Sequence, residues 1–333
     1  MYTALGPATL RSGEQVTAAV VAAPDLAWAD RVERMLVHKG DPWNWQNSAL
    51  LRQQTGVGAR FFLLHRDGQP FSSLAIIEDQ GVGLLCHVWT AESDRQVGAS
   101  SILMEHAVAD FRRRGGHALY LGTEYEGTAW HYYRRRGFEP VAGRCGAMVQ
   151  LPEPQEAFTA RWFAAGETVV EPLAWWHWPA AFPLFLEPSG GLIRLAAGRL
   201  FGAMLAEEPL LPLLREQGQR AAVGELPCAY VLRAKDSPAV PGLACRSEHP
   251  LWPRTEVVDL FCHETRWAAA GELLEPLLKQ DHGTRLLAYV DPEQPQKQAA
   301  LERVGFRVSA HWPRGLEVTQ GGERVEVTLL ERD

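Results

Sequence analysis

The sequence predicts two α/β domains in tandem, each built on a mixed β-sheet with helices on both faces. Its 333 residues exceed the roughly 100–200 that one domain usually takes. Strand-like apolar runs alternate with segments of helical periodicity in both halves of the chain. Two residue pairs recur at similar offsets: Cys86-His87 and Cys262-His263 lie 176 residues apart, and Gly137-Phe138 and Gly305-Phe306 lie 168 apart. These offsets predict two related domains.

The first half opens with elements that can be assigned from local patterns. Turn residues at Gly40-Asp41-Pro42 interrupt a helical pattern, and Arg66-Asp67-Gly68-Gln69 between two apolar runs indicates a hairpin. The elements expected here are a first strand within residues 7–20, one or two helices over 25–52, strands over 59–65 and 69–78, and a central strand over 84–90.

A turn over residues 91–100 and a helix follow the central strand. Leu103, Ala107 and Phe111 recur at helical spacing, and Gly115-Gly116 is typical of a helix end. The elements expected in this part are a helix over residues 101–114, a strand over 117–121, a helix over 128–136, and a terminal hairpin made by residues 139–141 and 147–151.

The turn before the helix has the composition of an anion site. Arg95-x-x-Gly98-x-Ser100 stands where the first backbone N–H groups of a helix lack internal partners and the helix dipole is positive. Small residues at 98–100 let an anion approach the backbone, and Arg95 adds a fixed charge. The turn therefore suits a pyrophosphate, although an ordinary strand-to-helix turn explains it equally well when it is considered alone.

A second segment, Ala129-x-x-Tyr132-Tyr133-x-x-x-Gly137-Phe138, lies about thirty residues further on. Together the two segments resemble the GNAT superfamily of acetyl-CoA-dependent N-acetyltransferases over roughly residues 60–150. That family carries Arg/Gln-x-x-Gly-x-Gly/Ala before its central helix and Ala-x-x-Phe-Tyr-x-x-x-Gly-Phe in a later one. The chain departs from the family at Ser100, where Gly or Ala is preferred, and at Glu126, where Asn is common.

The resemblance implies that acetyl-CoA binds a catalytic domain spanning residues 1–152. Backbone N–H groups near the end of the central strand would polarise the thioester carbonyl. The residues implied in cofactor binding are Val88, Trp89, Thr90, Arg95, Gln96, Val97, Gly98, Ala99, Ser100, Glu126 and Tyr133.

The resemblance also implies catalytic roles. Tyr133 holds the family's position for the acid that protonates the leaving thiolate, with packing under the cofactor as the alternative. No fixed base is characteristic of the family; Glu124, just after a predicted strand, is the first candidate, and His87 is more simply a satisfied core histidine. Trp43 and Trp45 either line an acceptor pocket or cover the core.

Composition limits the partners of the protein. It is 46% hydrophobic and 22% charged with a formal net charge of −7, which is typical of a soluble globular protein and argues against nucleic-acid binding. A mildly acidic protein is compatible with a cationic small-molecule or peptide amine as acceptor. We further expect no membrane association, a cytoplasmic location because no signal peptide is visible at the N-terminus, and a possible homodimer.

The five cysteines argue against a metal or a disulfide framework. None of Cys86, Cys145, Cys228, Cys245 and Cys262 forms a C-x-x-C pair, so neither a zinc site nor a set of disulfides is indicated. A reduced, intracellular setting is the simplest interpretation.

The second half repeats the pattern after a boundary at residues 152–156. The elements expected are a strand over residues 168–173, helices to about 217, strands over 229–232 and 242–245, a central strand over 257–263, a helix over 267–280, a strand over 285–290 and a segment over 299–306 that closes the unit. Glu264-Thr265-Arg266-Trp267-Ala268 replaces the glycine-bearing turn, and Leu301 holds the place of Tyr133. Residues 160–333 are thus expected to form a degenerate GNAT-like domain without the cofactor motif.

The predicted function is transfer of an acetyl group from acetyl-CoA to a primary amine. An acyl-CoA-binding sensor or scaffold without turnover is the alternative, because no base is obvious in the sequence. The intact Arg95, Gly98 and Tyr133 favour the enzyme.

Overall fold

The computed structural model describes residues 1–143, 145–280, 283–317 and 324–332. The chain divides into two compact units, Met1–Pro154 and Gln155–Asp333. Each unit holds one large mixed sheet, of eight strands in the first and seven in the second, so the predicted α/β class is confirmed. Among the described residues, no helix has both the length and the apolar character needed to cross a bilayer.

The N-terminal unit has an eight-stranded sheet in the order β1-β2-β3-β4-β5-β6-β8-β7. Its strands are β1 (Tyr2–Thr9), β2 (Gln15–Ala22), β3 (Gly58–Arg66), β4 (Gln69–Asp79), β5 (Val82–Thr90), β6 (Ala118–Gly122), β7 (Glu139–Pro140) and β8 (Ala147–Gln150). Its helices are α1 (Leu26–Leu36), α2 (Trp43–Arg52), α3 (Ala99–Arg113) and α4 (Thr128–Arg134), with 3₁₀ turns at Val37–Lys39 and Glu92–Asp94. β5 and β6 are parallel, and the other neighbouring strands are antiparallel.

The single strand expected within residues 7–20 is wrong, because this stretch makes a hairpin of β1 and β2. The chain reverses at Ser12-Gly13, where Gly13 has φ +88° and its N–H donates to Leu10 O at 2.9 Å. Glu14 O accepts the N–H of Leu10 at 2.9 Å and closes the turn. Glycine reaches this left-handed conformation without the steric penalty that other residues carry.

The helices form where caps and apolar spacing agree. The carboxylate of Asp25 accepts the N–H groups of Ala27 and Trp28 at 3.0 and 3.2 Å. Asp25 therefore caps α1, which begins at Leu26. Leu103, Ala107 and Phe111 of α3 pack with Tyr133 and Phe138 against one face of the sheet. α3 thereby holds its N-terminus at the end of β5.

The C-terminal unit has a seven-stranded sheet in the order β16-β17-β15-β14-β13-β12-β9, and a separate pair of short strands, β10 and β11. Its strands are β9 (Thr168–Pro172), β10 (Ile193–Leu195), β11 (Leu200–Phe201), β12 (Ala229–Ala234), β13 (Gly242–Glu248), β14 (Thr255–Cys262), β15 (Arg285–Val290), β16 (Arg307–Glu317) and β17 (Arg324–Arg332). Its helices are α5 (Gln155–Trp162), α6 (His177–Ala180), α7 (Phe182–Leu186), α8 (Glu207–Ala222), α9 (Ala270–Leu278) and α10 (Pro295–Arg303).

The two large sheets share one strand order. β9, β12, β13, β14, β15, β16 and β17 take the places of β2 to β8, and β14 and β15 form the parallel pair that β5 and β6 form in the first unit. β1 has no counterpart among the described residues of the second sheet. The same connectivity in both units agrees with the repeat seen in the sequence.

Two expectations for the second unit need correction, and two of its strands were not expected. The stretch expected to be helical up to residue 217 also contains the β10–β11 hairpin, whose backbone is held by side chains distant in sequence. The helix expected over 267–280 begins only at Ala270, because the residues before it form a 3₁₀ turn, Glu264–Ala269. The two strands β16 and β17 were not assigned from sequence, since β16 is largely exposed and lacks apolar alternation.

Candidate active site

The turn between β5 and α3 presents a run of free backbone donors. Gln96 has φ +67° and Gly98 has φ +90°, so two left-handed residues flank Val97 and gather successive N–H groups on one side. Among the described residues, none accepts a hydrogen bond from the N–H groups of residues 96–100. These donors, together with the positive end of the α3 dipole, form a site that fits a phosphate or pyrophosphate.

Arginines from three segments flank this turn. Arg95 is exposed, and its Nε donates to Thr90 O at 3.4 Å. Arg11, in the β1–β2 hairpin, donates its backbone N–H to Val97 O at 2.9 Å, and its Cγ lies 3.4 Å from the position of a Cβ built on Gly98. Arg136, just after the end of α4, donates to Ser101 Oγ at 2.8 Å. Sequence reasoning missed Arg11, because only the folded hairpin brings it beside the turn.

β5 parts from β6 before it reaches the turn. The parallel pairs end at Leu84 and Tyr120, although β5 runs on to Thr90. On the other side, β4 pairs Ser73 with Trp89 but Ala75 with Cys86, so β5 carries an extra residue there. Such a bulge redirects the backbone and side chains of a strand. The end of β5, from Cys86 to Thr90, therefore has no β6 residue paired with it.

Hydroxyl groups fix the irregular end of β5. Ser73 Oγ donates to His87 O at 2.9 Å, and Ser72 Oγ donates to Trp89 O at 3.1 Å. The Ser72 hydroxyl also lies 2.8 Å from Thr90 Oγ1, which is 3.3 Å from Ser100 Oγ in the first turn of α3. This chain of hydroxyls connects β5 to the turn over residues 96–100, which we call the anion turn.

Tyr133 lies in the core between α3 and α4. Its side chain is 7% exposed, its ring packs edge-on against Phe138 with centroids 5.9 Å apart, and its hydroxyl has no hydrogen-bond partner among the described residues. Burial raises the pKa of this phenol, and the neighbouring Tyr132 and Cys86 add to the rise. The hydroxyl is therefore protonated at neutral pH and is available as a donor.

Glu124 and Glu126 lie in the connection from β6 to α4, and both are exposed. Glu124 O accepts the N–H of Gly127 at 3.2 Å, which closes a turn, and Glu126 has φ +58°. This turn follows β6 at the end where that strand has already separated from β5.

Trp43 and Trp45 are half-buried in the first turn of α2. The 3₁₀ turn before that helix contributes His38, whose ring lies 5.2 Å from the ring of Trp89. The connection between α1 and α2 is thus adjacent to the irregular end of β5.

His87 is buried, as expected, but its hydrogen bonding is not satisfied. The ring stacks on Phe61 with centroids 6.4 Å apart, and Nε2 has no partner among the described residues. Burial lowers the pKa of His87 to about 3, and the charges of Lys39 and His38 act in the same direction. Gln46 and Asn47 of α2, which drew no attention in the sequence, are also buried with unpartnered side-chain amides.

The corresponding turn of the C-terminal unit is built differently. β13 and β14 pair in regular register from Gly242/Cys262 to Glu248/Glu256, without the bulge of β5. The N–H of Arg266 donates to His263 O at 2.9 Å, and the N–H of Thr265 donates to His263 Nδ1 at 3.4 Å. Leu301, at the place of Tyr133, is fully buried among apolar side chains.

In the C-terminal unit, other residues lie beside the part of β14 that extends beyond its parallel pairing with β15. β14 and β15 pair only as far as Val257 and Leu287, after which Asp259 accepts the N–H groups of Ala196 and Ala197 at 2.7 and 2.9 Å. Asp259 lies between Val258 and Leu260, which pack against α9, so its carboxylate is on the opposite face of the sheet. The β10–β11 hairpin therefore covers β14 on that face.

A buried lysine joins the hairpin to the helix after β15. Lys297 of α10 is fully buried, and its Nζ donates to Ile193 O at 2.7 Å. Asp291 Oδ2 accepts the N–H of the same Ile193 at 2.6 Å. Burial lowers the pKa of Lys297, and the carboxylates of Asp259 and Asp291 oppose that shift. Lys297 thus links α10 to the β10–β11 hairpin, beside the part of β14 that has no β15 partner.

No group of three His, Cys, Asp or Glu side chains within the described residues is arranged to hold a metal ion. None of the five cysteines forms a disulfide in the part of the chain that the structure describes.

The family model described as "Acetyltransferase (GNAT) family" matches residues 25–138. The match begins at the cap of α1 and ends at Phe138, so it includes the anion turn, α3 and Tyr133. Among curated proteins, none shows a significant sequence match to this chain.

Solved acetyltransferase structures align with about half of the chain. A GNAT-family acetyltransferase from Bacillus anthracis is 11% identical with a TM-score of 0.37, and the alignment covers 50% of this chain and 96% of that one. An N-acetyltransferase from Staphylococcus aureus Mu50 is 15% identical with a TM-score of 0.39 and coverage of 50% and 99%. The yncA protein of Salmonella typhimurium, solved with its cofactor acetyl-CoA, is 15% identical with a TM-score of 0.35 and coverage of 50% and 92%.

Proposed function

Because residues 25–138 form a GNAT-family acetyltransferase domain and the chain is therefore an acyltransferase, we propose that it transfers an acetyl group from acetyl-CoA to a primary amine. The observation that carries this proposal is the set of free N–H groups over residues 96–100. They lie within the region that the family model matches, at the positive end of a helix that is fifteen residues long. The donor substrate needs such an anion site for its pyrophosphate.

The donor would bind along the turn and the end of β5. Acetyl-CoA supplies an acetyl group that is already activated as a thioester. The N–H groups of residues 96–100 would hold the pyrophosphate, with Arg95 and Arg11 adding positive charge. Backbone groups of Val88, Trp89 and Thr90 would orient the acyl arm, because this part of β5 lacks a partner on its β6 side, and Glu126, in the connection after β6, would contribute to the same site.

Tyr133 would act as the general acid. The departing thiolate needs a proton, and the phenol of Tyr133 keeps its proton through neutral pH because burial raises its pKa. The hydroxyl has no competing partner among the described residues, which leaves it available to the leaving group. Tyr132, its neighbour, instead lies under the guanidinium of Arg136, with the Arg136 carbon 3.6 Å from the ring centroid.

The acceptor amine would approach from the side of the α1–α2 connection, past Trp43 and Trp45. These rings are half-buried, so they offer apolar surface while remaining accessible. Glu124, exposed where β5 and β6 have parted, would accept the proton that the amine loses.

The C-terminal domain, residues 160–333, would bind no acetyl-CoA. It would be a supporting domain, and the catalytic domain of residues 1–152 would carry out the reaction. Its turn uses N–H groups internally, as at Thr265 and Arg266. Leu301 cannot donate a proton, and the gap beside β14 is occupied by the β10–β11 hairpin and Lys297.

Thiol release from acetyl-CoA, measured across a panel of amines, amino acids and amino sugars, tests the proposal. We expect release that depends on one class of primary amine, and Tyr133→Phe should lower kcat by about 10²-fold or more with little change in KM. Tyr132→Phe is the matched control and should keep most of the turnover. Binding of acetyl-CoA without thiol release from any amine would instead identify a sensor or scaffold.

A further inference from the structure

The hairpin of β1 and β2 lies outside the region that the family model matches, because that match begins at residue 25. Its turn, residues 10–14, is nevertheless linked to both ends of the connection between β5 and α3. No described strand of the second sheet takes the place of β1, and there the N–H groups of Thr265 and Arg266 are used inside the corresponding turn. The hairpin thus accompanies the turn whose N–H groups are free.

Arg66, at the end of β3, links the hairpin to the start of the connection. Its guanidinium donates to both carboxylate oxygens of Glu14 at 2.6 and 2.8 Å, and to Asp94 Oδ1 at 2.7 Å. The same guanidinium lies over the ring of Phe71, 4.1 Å from its centroid, and Phe71 O accepts the N–H of Ala91 at 2.8 Å. Because a bidentate arginine–carboxylate pair fixes orientation as well as distance, Arg66 holds the start of the connection in a defined position relative to the hairpin.

Arg11 holds the other end of the connection. Its backbone N–H donates to Val97 O at 2.9 Å, and Val97 also packs against the apolar cluster that contains Leu10. Both neighbours of Val97 have positive φ, so a fixed Val97 also fixes the direction of the free N–H groups in the anion turn. The hairpin therefore orients the donors of this turn from outside the helix.

The side chain of Arg11 lies where an anion bound at this turn would meet it. Its Cγ, Nε and Cδ are 3.4, 3.5 and 3.7 Å from the position of a Cβ built on Gly98. The residue is exposed, and no acceptor among the described residues is bonded to its guanidinium. A guanidinium without a partner, next to free backbone N–H groups, favours a phosphate, to which arginine donates charge-assisted hydrogen bonds.

We propose that the tip of the β1–β2 hairpin is part of the donor site: Arg11 binds a phosphate of the donor, and Arg66 is a positioning residue that keeps the anion turn in its open form. The hairpin adds these two residues to the acetyl-CoA site proposed above, on which the inference rests. It makes the protein selective for thioesters of coenzyme A over thioesters without a phosphate, such as S-acetylpantetheine.

Calorimetry of acetyl-CoA with the full chain tests the role of Arg11. Arg11→Met should lower the affinity by about tenfold, because it removes a charge-assisted hydrogen bond to phosphate. Arg112→Met is the control, since it removes an exposed arginine from the last turn of α3, and should bind as wild type does. The affinity for S-acetylpantetheine, measured by saturation-transfer NMR, should be the same in Arg11→Met and in wild type.

Arg66→Met tests the positioning role. It should lower acetyl-CoA affinity by about threefold and leave S-acetylpantetheine affinity unchanged, whereas general damage to the fold would lower both. Arg52→Met is the matched control: Arg52 is 37% exposed against 38% for Arg66, and it also binds two carboxylates, those of Asp30 and Glu33. It should leave the affinity for acetyl-CoA unchanged.

Wild-type affinity for acetyl-CoA in Arg11→Met and Arg66→Met would overturn the role of the hairpin and leave the proposed function standing. An equal loss of affinity for S-acetylpantetheine in these variants would also overturn it, because the effect would then not act through a phosphate. Absence of acetyl-CoA binding by the wild-type chain would instead refute the donor site itself, and the inference with it.

Discussion

The two units share a strand order and differ at the end of the central strand. In the first, β5 carries a bulge, leads into a turn with free N–H groups and stops pairing with β6 after Leu84. In the second, β14 pairs regularly with β13, leads into a 3₁₀ turn, and is covered by a hairpin that Asp259 holds. The comparison shows that one sheet topology supports either a turn with free N–H groups or a turn that uses them internally, depending on a few connecting residues.

The Cys-His pairs show how small the sequence difference is. His87 sits in the bulge with φ +53° and directs an unpartnered imidazole into the core. His263 has φ −58° and ψ 147° and caps the 3₁₀ turn with its side chain. The same dipeptide therefore opens the strand end in one unit and closes the turn in the other.

The largest expected effect comes from breaking the anion site. Gly98→Asp places a negative charge where a pyrophosphate would lie and forces a residue with a Cβ into φ +90°. Since like charges at close range cost several kcal/mol, acetyl-CoA affinity should fall by about 10³-fold or more. Calorimetry on the full chain should show one acetyl-CoA site in wild type and none in the variant.

Gly98→Ala separates strain from charge, because it introduces the Cβ without the carboxylate. Its acetyl-CoA affinity should fall by about tenfold, in line with the 1–2 kcal/mol cost of a left-handed residue. Two sites in wild type, or one that survives Gly98→Asp, would place the donor in the C-terminal unit and reverse the comparison.

The next effect is expected in the closed unit. Lys297→Met removes the ammonium that donates to Ile193 O and faces the buried Asp259 and Asp291. Loss of one member of a buried charged group should cost about 3–5 kcal/mol. Hydrogen exchange of peptides covering residues 190–200 should accelerate, while acetyl-CoA affinity stays unchanged.

Lys279→Met is the control, because Lys279 is exposed and pairs with Glu275 one helical turn away. Exposed pairs of this kind contribute little, so exchange should remain close to that of wild type. Equal protection in the Lys297→Met and wild-type chains would mean that the hairpin is held without the lysine.

The smallest effect concerns the pH dependence of the open unit. His87 has a folded pKa of about 3, below the unfolded value of about 6.5, so the unfolded chain binds more protons between these values. Stability is therefore unaffected above about pH 6.5 and is lost as pH falls towards 3, by up to about 1.4 kcal/mol per pH unit. In His87→Asn, the free energy of unfolding measured with denaturant should fall less steeply as pH decreases below about 6.5.

Asparagine tolerates the left-handed conformation at this position, so the variant isolates titration from backbone strain. His131→Asn, at an exposed site, should retain the wild-type slope. An unchanged slope in His87→Asn would show that residue 87 is not the group that titrates.

The sequence predicted best where the structure depends on neighbours in the chain. β3, β4, β5 and α3 lie within two residues of their expected bounds, because alternation, turn residues and glycine stops are local signals. The end of α3 at Gly115 and the turn at Gly98 are also marked by local signals, since each needs a glycine with positive φ.

Features created by tertiary contact could not be predicted in this way. Arg11 reaches the anion turn only after the β1–β2 hairpin has formed. The β10–β11 hairpin depends on Asp259 and Asp291, whose partners are 63 and 98 residues away along the chain. The roles proposed for Tyr133 and Glu124 also involve a bound donor and acceptor, which no pattern of residue types supplies.

The burial of Lys297 has a practical consequence for chemical labelling. The chain has four lysines, at positions 39, 235, 279 and 297, and only the last is fully buried. An amine-reactive reagent should modify the first three on a common timescale and Lys297 only when the C-terminal unit opens. The rate at which peptide mass spectrometry detects the adduct on Lys297, as distinct from adducts on the other lysines and on the exposed Met1 amine, is therefore a direct reading of how often this unit opens, and it needs no mutation or engineered probe.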